Sequence, residues 1–157
     1  MPPEKKAPPY DYLKYYRVIK YYYCIRYKLT FNDLDMLLFL YSERYFTRAK
    51  FDEFDNLLPW EKHRFPNLVK NGWVDVFRIA KVGERYLYGI SIKGRRMIKD
   101  MYNKLNGDEI TVNNTVNPMF AKNVRYTDKV YRKMILQMNA EIKEKKKTEG
   151  LKGLPRT

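Results

Sequence analysis

The stretch Tyr88-Gly89-Ile90-Ser91-Ile92-Lys93-Gly94-Arg95-Arg96 reads as a strand that runs straight into a helix. Ser91 stands where a hydroxyl can cap the first helical turn. Gly94 leaves out the side chain that would hold that turn away from the strand. Upstream, Leu68-Val69-Lys70-Asn71-Gly72-Trp73-Val74 reads as the end of a helix, a glycine stop and the start of an earlier strand. Between the two motifs Trp73 to Ile79 alternates in polarity, Lys81 to Glu84 contains Gly83, and Arg85 to Ile90 forms a second strand. The pair is a β-hairpin.

Working outward, helices flank this hairpin. Asp11 can cap a helix that runs to about Tyr27, and eight tyrosines fall between Tyr10 and Tyr27. So aromatic a helix must be covered on most sides. Thr30 with Asp33 forms a capping-box-like start, and Leu34, Leu37, Leu38 and Tyr41 follow core-facing spacing. Thr47 can cap a short helix to Asp55, with Phe51 and Phe54 inward. A further helix is predicted over about Pro59–Asn71, ending at Gly72. The helix after Ser91 carries Ile92, Met97, Ile98, Met101 and Leu105.

This divides the chain into a Pro- and Lys-rich extended arm (1–10), a main domain (11–106), an irregular connection (107–126), an amphipathic helix (127–147) and a basic tail (148–157). Val130, Met134, Met138 and Ile142 recur every four residues on that last helix, flanked by Tyr131 and Ile135.

The order helix, helix, short helix, helix, hairpin, helix, with both motifs in place, resembles the winged helix-turn-helix regulators of the MarR/PadR-like kind over about residues 30–105. The resemblance implies a mostly α fold with a β-hairpin wing, binding of double-stranded DNA and often transcriptional repression. It implies that the groove helix is about Pro59 to Asn71, with Lys62, His63, Arg64, Asn67 and Lys70 facing DNA. It implies that the hairpin wing, with Arg78, Lys81 and Arg85, touches the adjacent minor groove, and that Lys93, Arg95 and Arg96 after it meet backbone phosphates. It also implies a two-fold dimer built from the flanking helices, through Tyr12, Tyr16, Ile19 and Tyr23 and through Val130, Met134, Met138 and Ile142.

One residue departs from the family's pattern. Pro66 falls in the middle of the expected groove helix, where an interior proline costs about 3 kcal/mol. Either the helix is bent there, or Trp60 and Phe65 are core and the break is tolerated because nothing enters a groove. The second possibility allows a different use of the fold, as an interaction module in a larger assembly such as a phage virion.

Composition bounds the rest. The chain has 157 residues and a net charge of +14. Residues 30–58 are net −3, while 1–29, 59–105 and 106–157 are +5, +7 and +5. Such an imbalance points to a polyanionic partner. One cysteine and one histidine exclude an internal disulfide and a cysteine- or histidine-built metal site. Cys24 reads as a small buried hydrophobe, and His63 has no nucleophile motif near it. No catalytic residue, metal or cofactor is expected. A small-molecule effector among the tyrosines of the first helix is conceivable, but packing is the simpler reading. No apolar run is long enough for a membrane span, and Met1–Pro9 lacks the apolar core of a signal peptide. The expected location is cytoplasmic, on the nucleoid, or else in a virion.

Overall fold

The computed structural model describes residues 11–152. Its elements are α1 (Tyr12–Tyr27), α2 (Phe31–Tyr41), α3 (Arg48–Asp55), α4 (Arg64–Lys70), β1 (Val74–Arg78), β2 (Leu87–Ile90), α5 (Ile92–Leu105), a 3-10 turn (Pro118–Phe120) and α6 (Tyr126–Lys152). It is mostly helical, with one small antiparallel hairpin. The chain forms two compact units, residues 27–101 and residues 11–26 with 102–152. Thus α1 groups with the C-terminal part of the chain and not with the hairpin that follows it. The 1–10 arm and residues 153–157 lie outside the described residues. Among the described residues no helix is long and apolar enough to cross a membrane.

In the 27–101 unit, the helix starts are made by the expected caps. Thr30 Oγ1 accepts from the Asp33 amide at 3.1 Å, and Thr47 Oγ1 from the Lys50 amide at 3.4 Å. The core takes Leu34, Met36, Leu37 and Leu40 from α2, Phe51 from α3, Phe65 and Leu68 from α4 and Met97 and Ile98 from α5. The Phe65 ring stands edge-on to Phe51 and to Tyr88, with centroids 4.9 and 5.0 Å apart. Each such side chain is worth about 1.5–3 kcal/mol of burial.

Strands β1 and β2 pair antiparallel from Val74↔Ile90 to Arg78↔Leu87, with a bulge between Val76 and Arg78. On the other edge of β2, Phe46 and Tyr88 exchange two backbone hydrogen bonds of 2.9 and 2.8 Å. A single residue between α2 and α3 therefore acts as a third strand, which the sequence pattern did not reveal.

The β2–α5 junction follows the reading of Ser91 and Gly94. Ser91 Oγ accepts from the Gly94 amide at 3.1 Å. A Cβ at position 94 would lie 2.6 Å from Ile90 Cγ2 and 3.4 Å from the Trp73 carbonyl oxygen. Only glycine fits without a shift.

The groove helix is shorter than expected. Residues 59–63 are not helical, and α4 begins at Arg64. Pro66 is consequently in the first turn, where its missing N–H would have had no intrahelical partner. Phe65 is core, whereas Trp60 is 84% exposed.

In the other unit, α1 begins as predicted, with Asp11 Oδ1 accepting from the Lys14 amide at 3.0 Å. Tyrosine hydroxyls link α1 to α6: Tyr15 donates to Glu141 and Tyr21 to Asp128. Arg17 Nε donates to the Tyr131 hydroxyl at 3.0 Å, and the rings of Tyr21 and Tyr131 stack at 4.0 Å. The buried stripe of α6 is Tyr131, Ile135, Met138 and Ile142. Val130 lies off it because each four-residue step overshoots a helical turn by about 40°.

The irregular connection is tied down by side chains. Asn139 both accepts from and donates to the Ile110 backbone, at 3.0 and 2.8 Å. Asn117 Nδ2 donates to the Thr111 carbonyl at 2.9 Å, and Arg132 donates to the carbonyls of Met119 and Ala121. Helix α6 also continues past the expected end at 147, with a Lys145–Glu149 pair on its exposed last turns.

Two predictions follow from this packing. Gly94→Ala is expected to lower stability by about 1–3 kcal/mol in urea denaturation, and Ile90→Ala should cost less in that background than in wild type, because it removes the clashing Cγ2. Burial, reinforced by Asp128, raises the Tyr21 hydroxyl to about 12. The neutral form is the one that folding favours, so its contribution is complete below about pH 10 and is lost between about pH 10 and 12. Tyr21→Phe should destabilise at pH 8, and its deficit against wild type should shrink as the pH rises to 12.

Candidate nucleic-acid interface

The residues of the 27–101 unit expected to meet DNA fall into three kinds. The first is buried. Arg64 opens α4, yet it is only 2% exposed. Its guanidinium donates to Asp55 at the end of α3 and to the Pro59 carbonyl at 2.8 Å. Its Nε lies 3.5 Å from Asp33 Oδ1 on α2, within ion-pair range but without hydrogen-bond geometry. Arg64 therefore cannot read a base, which corrects the expectation that it faces DNA. Both acidic partners come from the net-negative segment 30–58.

The second kind is exposed but committed to the fold. Lys93 donates to the Asn71 carbonyl at 3.2 Å and holds its ammonium 4.0 Å above the Trp73 ring. It thereby satisfies an end carbonyl of α4. Arg95 donates to the carbonyls of Ile90 at 3.2 Å and Arg44 at 3.5 Å. Lys93 thus ties α5 to the end of α4, and Arg95 ties it to β2 and to the loop after α2.

The third kind is exposed at the surface: Lys62, His63, Asn67, Lys70, Arg78, Lys81, Arg85 and Arg96. Asn67 and Lys70 belong to α4, Lys62 and His63 to the segment before it, and Lys81 and Arg85 to the end of the hairpin. Arg48, which sequence reading passed over, stands at the start of α3. It pairs with Asp52 at 3.0 Å, lies over the Phe65 ring and lines a cleft of about 320 Å³ with Arg85 and Tyr86. Its only signal in the sequence was its place beside the cap Thr47.

The eight residues expected to face a second subunit do not stay together. Ile19, Tyr23, Met138 and Ile142 are buried within this chain, and Met134 is half-buried. Tyr16 and Val130 are exposed, and the side chain of Tyr12 lies outside the described residues. Helix α6 covers part of α1 through its contacts with Tyr15, Arg17 and Tyr21. Cys24 is buried, as expected of a small hydrophobe.

Electrostatics at Arg64 favour structure over recognition. Burial pushes the Asp33 carboxyl above its ordinary value, outweighing the Thr30 hydrogen bonds and the Arg64 charge that pull it down. Neither sequence nor structural comparison returns a matching protein family, curated protein or solved structure.

Removing Arg64 strands Asp33 and Asp55. Arg64→Ala is expected to cost about 3–5 kcal/mol in urea denaturation. Asp33→Asn should cost less than half as much, because it also removes a carboxylate that burial disfavours. Equal losses would show that Asp33 carries the pair.

Proposed function

We propose that residues 27–101 are a winged helix-turn-helix unit that binds double-stranded DNA chiefly through its phosphates. The element order, the Phe46–Tyr88 third strand and the Ser91–Gly94 junction support the fold reading. The observation that carries the function is the exposed set Lys62, Lys70, Arg78, Lys81, Arg85 and Arg96, in a segment of net charge +7. Base reading has a narrower basis. With Arg64 withdrawn, Asn67 is the exposed α4 side chain best suited to a base edge, through the N6 and N7 positions of adenine. Binding with modest sequence discrimination is the consequence. A regulator of transcription of the MarR/PadR-like kind is the specific form of this proposal.

A second reading is favoured by one observation. Tyr45, Val76, Phe77 and Ile92 are exposed apolar residues around a groove of about 430 Å³ that Arg44 and Arg95 also line. Such a patch suits a protein partner, and the unit would then be an assembly module.

Titration into labelled duplexes at several salt concentrations tests the first reading. The logarithm of affinity should fall linearly with the logarithm of salt, and Lys81→Ala, Arg85→Ala and Lys70→Ala should each lower the slope by about 0.9. Asn67→Ala should leave the slope unchanged and erase about 1–3 kcal/mol of preference between duplexes. Wild-type protein that binds no duplex at 50 mM salt would leave the assembly reading in place.

A further inference from the structure

The end of the hairpin is apolar where a purely electrostatic contact would be polar. Lys81 to Glu84 form a tight turn, closed by the Glu84 amide donating to the Lys81 carbonyl at 2.9 Å. Gly83 takes the third position with φ +82°, the left-handed value that a type II turn requires there. That leaves Val82 at the corner. It is fully exposed, and Ile79 behind it is 69% exposed. Over residues 78–85 the chain carries Arg78, Lys81 and Arg85 against the single carboxylate of Glu84.

We propose that Val82 at this tip wedges against a base step from the minor groove of duplex DNA and bends the helix axis. The inference rests on the duplex-binding reading. Apolar wedges enter base steps from the minor groove, which is only about 6 Å wide, so a hairpin must enter it tip first. Tip-first entry puts the corner residue in the lead. Gly83 has no side chain, and nothing lies within 4 Å of where its Cβ would be, so the leading edge is as slim as a turn can be. The duplex is the occupant the charges select, because Lys81 and Arg85 flank the apolar corner from the two arms of the turn. Apolar side chains inserted at a base step unstack it and kink the duplex, the cost being recovered in extra backbone contacts.

The test uses the full chain and a duplex of about 25 base pairs carrying a donor and an acceptor at its ends. Energy transfer is read at saturating protein, so that differences in affinity do not enter. Wild type and Val82→Ile should raise the transfer. Val82→Ser, which alters only an exposed corner, should bind and return it to within about a fifth of the free-duplex value. Saturation without bending by wild type, or bending by Val82→Ser equal to wild type, would overturn the wedge while leaving duplex binding intact. Failure of wild type to bind the duplex at low salt would overturn the duplex reading and the wedge with it.

Discussion

A guanidinium buried between three helices sets the geometry of the 27–101 unit. Arg64 ties the first residue of α4 to the last of α3, to the Pro59 carbonyl before it and to Asp33 on α2. Helix α4 has seven residues, and its N-cap, His63, makes no side-chain cap. A helix of about two turns does not persist in water by itself. What holds it is the Arg64 node on one side and the burial of Phe65 and Leu68 on the other. The arrangement has a functional cost. The one guanidinium on α4 is spent on architecture, so the surface of that helix is left with a proline, an asparagine and a lysine.

Much of this was legible in the sequence, because the signals were local. Thr30, Thr47 and Ser91 cap the helices they precede, and Gly72 and Gly83 take the positive φ values their turns need. Each of these depends on neighbours within a few residues. Two of the misjudged positions depend on residues outside their own element. Arg64 was placed on the surface because arginine is almost never buried unless paired, and Asp33, one of its partners, is on another helix. The Phe46–Tyr88 bridge joins residues from separate elements and is one residue long, too short for any alternation to announce. Pro66 was read as an interior break only because the start of α4 was set one turn too early.

The second unit shows the same division from the other side. Its helices were visible in the sequence, but their mutual cover was not. Tyrosine has a long apolar ring and a terminal hydroxyl, so it can fill space between two helices and still satisfy a carboxylate at its far end. Tyr15 and Tyr21 do this against Glu141 and Asp128. Partnering by Tyr15, with Lys14 nearby, holds the Glu141 carboxyl below its ordinary value. Part of the aromatic surface of α1 is thus covered by α6, with tyrosine hydroxyls that reach its carboxylates.

The two tryptophans occupy opposite environments. Trp73 is buried, with the Tyr27 ring edge-on at 5.6 Å and the Lys93 ammonium over its face. Trp60 stands in water, two and three residues before Lys62 and His63 on the approach to α4. In optical terms the chain contains a dry indole and a wet one. Blue-shifted emission from the first follows the integrity of the core. Collisional quenching of the second follows the solvent access of the segment that leads into α4. Replacing either indole by phenylalanine separates the two signals, so the core and that segment can be watched independently without attaching a dye.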